Sequence, residues 1–241
     1  MTTPADPVVL LPGMNCSRRL WQPVLDSPAF VAPPGGGLQP DVLQPQLRGR
    51  SLDDCVDRLL AQLPPTFSLA GLSLGAIVAL ALTRRAPQRV TRLALLAVNA
   101  RSPRPDQLAA WATQRRMLAD GGTARTLQQQ LLPVLISPHR RGTELDEVVL
   151  AMADDVGETA LDDQLAIQQT RVDERPALPR LAVPTLVVAG ADDALVPVER
   201  HEEVRDAVAR AHLEVLDETG HLSTLEAPHA VAAALSTWLT W

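Results

Sequence analysis

One serine of this 241-residue chain lies in a segment typical of a nucleophile on a tight turn. The apolar run FSLAGLSLG, residues 67–75, contains Gly71-Leu-Ser73-Leu-Gly75, and a stretch rich in Ala and Leu follows without a breaker before Pro87. A turn from strand into helix needs small residues beside its apex, because the apex is forced toward positive φ and its neighbours approach other backbone closely. The pattern predicts Ser73 at such an apex, at the N-terminus of a helix. A serine that only caps a helix would give the same five residues.

A serine hydroxyl needs a base to accept its proton, and histidine suits that role because its ordinary pKa lies near neutrality. The chain has five histidines. Four have an ordinary structural interpretation on a helix, a strand or a polar loop: His139, His201, His212 and His229. His221 differs, since it follows Gly220 directly after the last predicted strand. Its position predicts that it lies at the carboxyl edge of the sheet, where Ser73 is also expected.

A carboxylate is the third requirement, because it fixes the imidazole tautomer and stabilises the imidazolium. Asp193 is the best candidate, since it lies in GADDALVP directly after the apolar run PTLVVAG. Asp192 competes with it, and only one of the two adjacent side chains can point at His221. A solvated turn with two aspartates is the structural alternative.

These residues must be positioned by an alternation of short apolar strands and helices, which predicts an α/β fold with a parallel sheet covered on both faces. We expect six strands, at residues 8–11, 41–47, 66–72, 90–98, 185–189 and 212–216. Helices are expected between them at residues 52–63 and 198–210, and at the C-terminus at residues 228–239, where Pro228 is in a tolerated first-turn position.

The segment at residues 102–179 interrupts this alternation with helix-like stretches and no strand pattern. We interpret it as a helical lid inserted into a core formed by residues 1–101 and 180–241. Pro103 and Pro105 mark its start, and Pro176 and Pro179 mark its end. Its apolar residues could line a pocket for an acyl group, although packing between helices is the simpler interpretation: Leu108, Trp111, Leu118, Leu131, Leu132, Leu135 and Met152.

Composition excludes several classes of function. The net charge is −6 and all 22 basic residues are arginine, without a dense basic block, so nucleic acid is not expected as a partner. The absence of lysine excludes Schiff-base chemistry and phosphate loops that need lysine. Cys16 and Cys55 form no metal-binding pattern, so we expect buried, reduced thiols and no metal. No apolar run reaches membrane length and the N-terminus lacks the features of a secretory signal, so a cytoplasmic location is expected.

Four ordered motifs make the chain similar to the α/β-hydrolase superfamily. They are VVLLPGMNCSRRLW, AGLSLGAIVAL, PTLVVAGADDALVP and GHLSTLEAPHAVAAALSTWL, and together they span almost the whole chain. The resemblance implies a three-layer fold with a mostly parallel central sheet of about six strands and an inserted helical lid. It also implies a catalytic triad of Ser73, Asp193 and His221, because the family's G-x-x-D-x-x-x-P loop places the acid at Asp193 and not at Asp192.

The resemblance further implies an oxyanion hole formed by the backbone N–H groups of Met14 and Leu74. Side-chain substitutions at these two positions would therefore tell little about the hole. The family usually has His-Gly in the loop before Met14, whereas this chain has Pro12-Gly13. Trp21 matches a tryptophan commonly found downstream of that loop, and we expect it to have a packing role.

The implied reaction is acyl transfer through a covalent intermediate on Ser73, with no metal or organic cofactor. We expect a small to medium carboxylic ester or thioester with an apolar portion as the substrate. Alternatives on the same fold are a carbon–carbon bond hydrolase, a lactonase, a lyase or a non-catalytic ligand receptor. A carboxylated substrate would need an arginine clamp, for which Arg115, Arg116 and Arg125 are candidates, although solvated helix charges are the simpler interpretation. The sequence does not indicate the oligomeric state.

Overall fold

The central element is a sheet of parallel strands, seen in a computed structural model that describes residues 6–31 and 40–241. Residues 1–5 and 32–39, which belong to the predicted core segment 1–101, lie outside the described residues. In the described residues, six strands form the sheet in the order β2-β1-β3-β4-β5-β6, and every neighbouring pair is parallel. The strands are β1 Val8–Leu11, β2 Val42–Leu43, β3 Phe67–Leu72, β4 Val90–Leu96, β5 Thr185–Gly190 and β6 Ala211–Leu216. The predicted fold class is therefore confirmed.

Two strands are shorter than predicted by more than one residue, and both have a local reason. The second strand was expected over residues 41–47 but pairs only at Val42–Leu43, where Pro45 follows soon after and has no N–H to donate to the ladder. The fourth strand was expected to reach residue 98 but ends at Leu96, because Ala97 has a φ of 50° and leaves the extended conformation.

Ten α-helices occur in the described residues. They are α1 Gln22–Leu25, α2 Pro28–Val31, α3 Leu52–Gln62, α4 Leu74–Arg85, α5 Pro105–Ala119, α6 Ala124–Leu135, α7 Glu144–Gln169, α8 Val198–Ala207, α9 Ser223–Glu226 and α10 Pro228–Trp238. The three helices predicted between strands and at the C-terminus are present as α3, α8 and α10, each ending one to three residues earlier than expected.

Alternate residues of each strand face two separate layers of helices. On one face, Val9 and Leu95 belong to a buried cluster shared with α3, α4 and α8. On the other face, Leu10 and Leu96 belong to a cluster shared with α1, α2 and α10. Because both faces are covered, the strands read as continuous apolar runs, and β1, β3 and β5 are buried throughout.

Helices α5, α6 and α7 lie between β4 and β5, in the segment predicted as a lid. The segment contains no strand, as expected, and its helices share a small apolar cluster that includes Trp111, Leu127 and Leu165. Helix α7 is interrupted at Gly157, whose φ of 70° and ψ of 169° are not helical. The division at residues 102–179 stays a prediction. Among the described residues, no helix has the length and hydropathy that a membrane crossing requires.

Candidate active site

The turn between β3 and α4 holds Ser73 in a strained conformation. Its φ of 55° and ψ of −111° lie outside the regions that residues with a side chain favour. A Cβ on Gly71 would overlap the backbone of Gly75, and a Cβ on Gly75 would overlap the carbonyl oxygen of Leu11. Both positions must therefore be glycine for the turn to close, and the predicted strand–turn–helix unit is present.

His221 lies in the loop after β6 and points at this turn. Its Nε2 atom is 2.8 Å from Ser73 Oγ, and its Nδ1 atom is 2.8 Å from Asp193 Oδ2. Because an ionised carboxylate only accepts hydrogen bonds, Nδ1 carries the proton and Nε2 is free to accept the serine proton. The structure thus brings the three predicted triad residues into one hydrogen-bonded chain, with His221 3% exposed.

The neighbouring aspartates have different partners. Asp193 Oδ1 accepts hydrogen bonds from the backbone N–H groups of Leu195 and Val196, both at 2.9 Å, while its other oxygen faces His221. Asp192 instead accepts a hydrogen bond from the Ser137 hydroxyl at 2.7 Å. Burial opposes ionisation of Asp193, but the electrostatic interaction with His221 and these hydrogen bonds outweigh it, so the pKa of Asp193 lies below its ordinary value.

A buried glutamate, which sequence reasoning did not single out, holds the histidine loop. Glu226 accepts hydrogen bonds from the backbone N–H groups of Gly220, Leu222 and Ser137, at 3.0, 3.2 and 2.8 Å. Burial raises its pKa above the ordinary value, against the effect of the three donors. The only signal in the sequence was an acid five residues after His221, in the segment that leads into the last helix.

The loop after β1 lies beside the serine turn, and its Met14 lines the same cavity as Ser73. Hydrogen bonds from the predicted lid fix this loop: Asn15 N donates to Gln164 Oε1 at 2.7 Å, and Asn15 Nδ2 donates to Gln128 Oε1 at 2.9 Å. Within residues 6–31 and 40–241, neither the Met14 nor the Leu74 backbone N–H has an intramolecular acceptor. Trp21 is buried and donates to Leu11 O, in agreement with a packing role.

A cavity of about 450 Å³ opens onto Ser73 and His221. Its walls come from the loop after β1, from the strand ends and from α5 and α6. Three of the seven apolar residues noted in the predicted lid line it, namely Trp111, Leu131 and Leu135, together with Ile77 from α4. The wall is thus mixed, apolar on one part and polar where glutamines and arginines reach it.

The arginines proposed as a clamp lie elsewhere. Arg115 pairs with Asp162, and Arg125 pairs with Glu147 and Asp154, all on the predicted lid. Arg116 does not line the cavity either. The arginines that do line it are Arg104 and Arg171, which sequence reasoning missed because each stands alone in an unremarkable segment.

Three of the other histidines and both cysteines have structural settings. His201 is fully buried, His229 Nδ1 lies 3.1 Å from a serine hydroxyl, and His212 packs edge-on against the C-terminal tryptophan. Both cysteines are free and buried, and burial raises each thiol pKa to about 12. Among the described residues, no group of three or more His, Cys, Asp or Glu side chains is arranged to hold a metal ion.

Comparison with known proteins agrees with this architecture. The model of the Alpha/beta hydrolase family matches residues 8–234. A pimeloyl-[acyl-carrier protein] methyl ester esterase of Aromatoleum aromaticum is 31% identical over 95% of this chain and 96% of its own length. The biotin biosynthesis bifunctional protein BioHC of Cellvibrio japonicus is 28% identical over 98% of this chain, which spans 47% of that longer protein.

Solved structures show the same fold. A thermophilic esterase from Thermogutta terrifontis superimposes with a TM-score of 0.82 at 23% identity, covering 99% of this chain and 91% of the esterase. The family match includes all six strands of the sheet together with Ser73, Asp193 and His221, and the Aromatoleum aromaticum esterase aligns with this chain over nearly its full length. This chain belongs to the alpha/beta hydrolase family.

Proposed function

We propose that this protein is a serine hydrolase that cleaves carboxylic esters through an acyl-enzyme on Ser73. The observation that carries the proposal is the chain of two 2.8 Å hydrogen bonds from Ser73 through His221 to Asp193, at the wall of a cavity of about 450 Å³. The ester is proposed as the substrate class because relatives of this chain are named methyl ester esterases.

In the proposed first step, His221 Nε2 accepts the Ser73 proton while Oγ attacks the ester carbonyl. The negative charge that forms on the carbonyl oxygen is stabilised by the Met14 and Leu74 backbone N–H groups, each of which contributes about 3 kcal/mol. The imidazolium then donates its proton to the departing alcohol. Asp193 holds the ring in the required tautomer throughout.

In the second step, a water molecule gives a proton to His221 Nε2 and attacks the acyl-enzyme, and the collapse of the intermediate returns the proton to Ser73. The free acid is released. We propose that the helices of residues 102–179 cover the acyl group as a lid over the core segments 1–101 and 180–241, since residues of α5 and α6 line the cavity.

The proposal is tested with a panel of p-nitrophenyl esters of increasing acyl length, followed by methyl esters. Ser73→Ala and His221→Ala are each expected to lower kcat/KM by about 10⁴-fold or more, because the acyl-enzyme route is lost. Wild-type turnover that does not exceed that of Ser73→Ala on every ester would refute the proposal.

The neighbouring aspartates provide a matched control. Asp193→Asn is expected to lower kcat by about 10⁴-fold, because an amide at this position favours the wrong histidine tautomer. Asp192→Asn removes the same charge one residue away and is expected to change kcat by less than about 10-fold, since Asp192 contacts Ser137 and not His221. Loss of turnover in Asp192→Asn with activity retained in Asp193→Asn would contradict the assignment.

A further inference from the structure

Arg171 is a buried cation in the wall of the proposed active-site cavity. It lies two residues beyond the end of α7, is 7% exposed and lines the same cavity as Ser73 and His221. Its guanidinium carbon lies 5.4 Å from the centre of the Trp111 ring, which fixes the plane of the group on one side.

The guanidinium of Arg171 has no carboxylate partner among the described residues. Its two hydrogen bonds go to neutral amide oxygens and are long, at 3.4 Å to Gln168 Oε1 and 3.3 Å to Gln107 Oε1. Its buried Nε atom has no hydrogen-bond partner within the part of the chain that the structure describes. By contrast, the exposed Arg84 has a bidentate contact with the buried carboxylate of Glu174.

Arg104, the other arginine in the cavity wall, is in a different state. It is exposed, and Asp106 accepts two hydrogen bonds from its guanidinium at 3.0 and 2.8 Å. Its charge is therefore already balanced within the protein. Of the two arginines in the cavity wall, only Arg171 lacks a carboxylate partner among the described residues.

Arg171 stays charged at neutral pH. Burial and the nearby charge of Arg104 lower its pKa to about 10, which still leaves the guanidinium protonated at pH 7. A buried charge without a counter-ion is unfavourable, because the solvation that it loses is not replaced. A bound anion would restore that balance with paired, charge-assisted hydrogen bonds.

We propose that Arg171 binds a carboxylate in the acyl part of the substrate, so that the preferred substrates are monoesters of dicarboxylic acids. This inference rests on the proposed function of the same cavity. One planar guanidinium matches one planar carboxylate, and a single unbalanced cation matches a single negative charge. The carboxylate belongs to the acyl part, because that part stays on Ser73 through both steps while the alcohol departs after the first.

The test compares two matched esters with each of three acyl lengths. Mono-p-nitrophenyl succinate, glutarate and adipate carry the carboxylate. Their neutral counterparts are the p-nitrophenyl esters of the same length in which a primary amide replaces that carboxylate. For the best length, wild-type kcat/KM is expected to favour the charged ester at least about 10-fold. Arg171→Met is expected to lower kcat/KM for the charged ester by about 10- to 100-fold, the value of a charge-assisted contact, and for the neutral ester by less than about 3-fold.

Arg115→Met is the matched control, because Arg115 is paired with Asp162 outside the cavity and should leave both esters unaffected. Equal losses on both esters in Arg171→Met, or a wild-type enzyme that does not prefer the charged ester at any length, would overturn the inference. Either result would mean that Arg171 only supports the fold around Trp111.

A binding experiment separates this inference from the proposed function. Titration calorimetry on Ser73→Ala is expected to measure binding of succinate, glutarate or adipate, whichever matches the best acyl length, and no binding of the neutral diamide of the same length. The double variant Ser73→Ala/Arg171→Met should lose binding of the dicarboxylate. If wild-type protein cleaves no ester but this binding pattern is found, the proposed function fails and the carboxylate site stands. If esters are cleaved but no dicarboxylate binds through Arg171, the carboxylate site fails alone.

Discussion

His201 should make the stability of this protein fall steeply between pH 7 and pH 5. The ring is fully buried in α8, where Nε2 lies 3.1 Å from the Val98 backbone N and Nδ1 lies 3.3 Å from Pro197 O. Since the Val98 N–H must donate, Nε2 is an acceptor and Nδ1 carries the only ring proton. A second proton would face the Val98 N–H directly, in a position that water does not reach.

Burial is the main cause that lowers the His201 pKa from 6.5 to about 4. Between these values the unfolded chain binds a proton that the folded protein does not, so stability is fully present above pH 6.5 and is lost as pH falls toward 4. The whole shift corresponds to about 3 kcal/mol, and about 2 kcal/mol of it is lost between pH 7 and pH 5.

Urea unfolding at pH 7, 6 and 5 measures this loss. With an m-value of about 2–3 kcal/mol/M, 2 kcal/mol lowers the urea midpoint by about 0.7–1 M. His201→Gln keeps an acceptor for the Val98 N–H but does not titrate, so its midpoint should fall by clearly less over the same range. The other ionisable groups are common to both proteins, so their contributions to the pH dependence cancel when the two sets of urea midpoints are compared. Identical pH dependence in the two proteins would refute the reasoning.

Two further predictions concern the frame around Ser73 and His221. In Gly75→Ala, the new methyl group would overlap Leu11 O and displace the loop that carries the Met14 amide, so kcat should fall by at least about 10-fold while the circular dichroism of the folded protein is retained. Unchanged kcat in Gly75→Ala would contradict the close approach of these two segments. In Glu226→Gln, one of three buried backbone N–H groups would face an amide NH₂, so the free energy of unfolding should fall by about 1–3 kcal/mol. Equal urea midpoints for wild type and Glu226→Gln would show that these contacts add nothing.

The local features of the site could be read from the sequence because short-range sterics impose them. The turn at Ser73 needs glycine on both sides, because backbone atoms occupy the places that a Cβ atom at Gly71 or Gly75 would take. The alternation of apolar strands with helices predicted the parallel sheet, since strands buried on both faces must be apolar throughout. Where the prediction failed, as at residues 44–47, a proline within the pattern had been given too little weight.

The partners of charged groups could not be read in this way. Arg115 and Arg125 were chosen as clamp candidates for their position in the predicted lid, but they pair with acids on the same helical segment. Arg171 gives no signal in the sequence, because what sets it apart is the lack of a carboxylate around it once α5 and α7 have packed. Glu226 likewise gains its role only from the three amides that the fold brings to it.

The sequence by itself determined the serine turn, the strand order along the chain and the short list of acids and histidines that follow strands. Those features depend on backbone conformation and on patterns of burial that repeat over a few residues. The tertiary structure places Asp193 and not Asp192 against His221, as the family's loop pattern had implied. Only the tertiary structure decided that a glutamate holds the histidine loop and that one arginine of the cavity wall has no carboxylate partner among the described residues. The two hydrogen bonds of His221 join residues that are 28 and 148 positions apart, and their geometry exists only after the layers have packed.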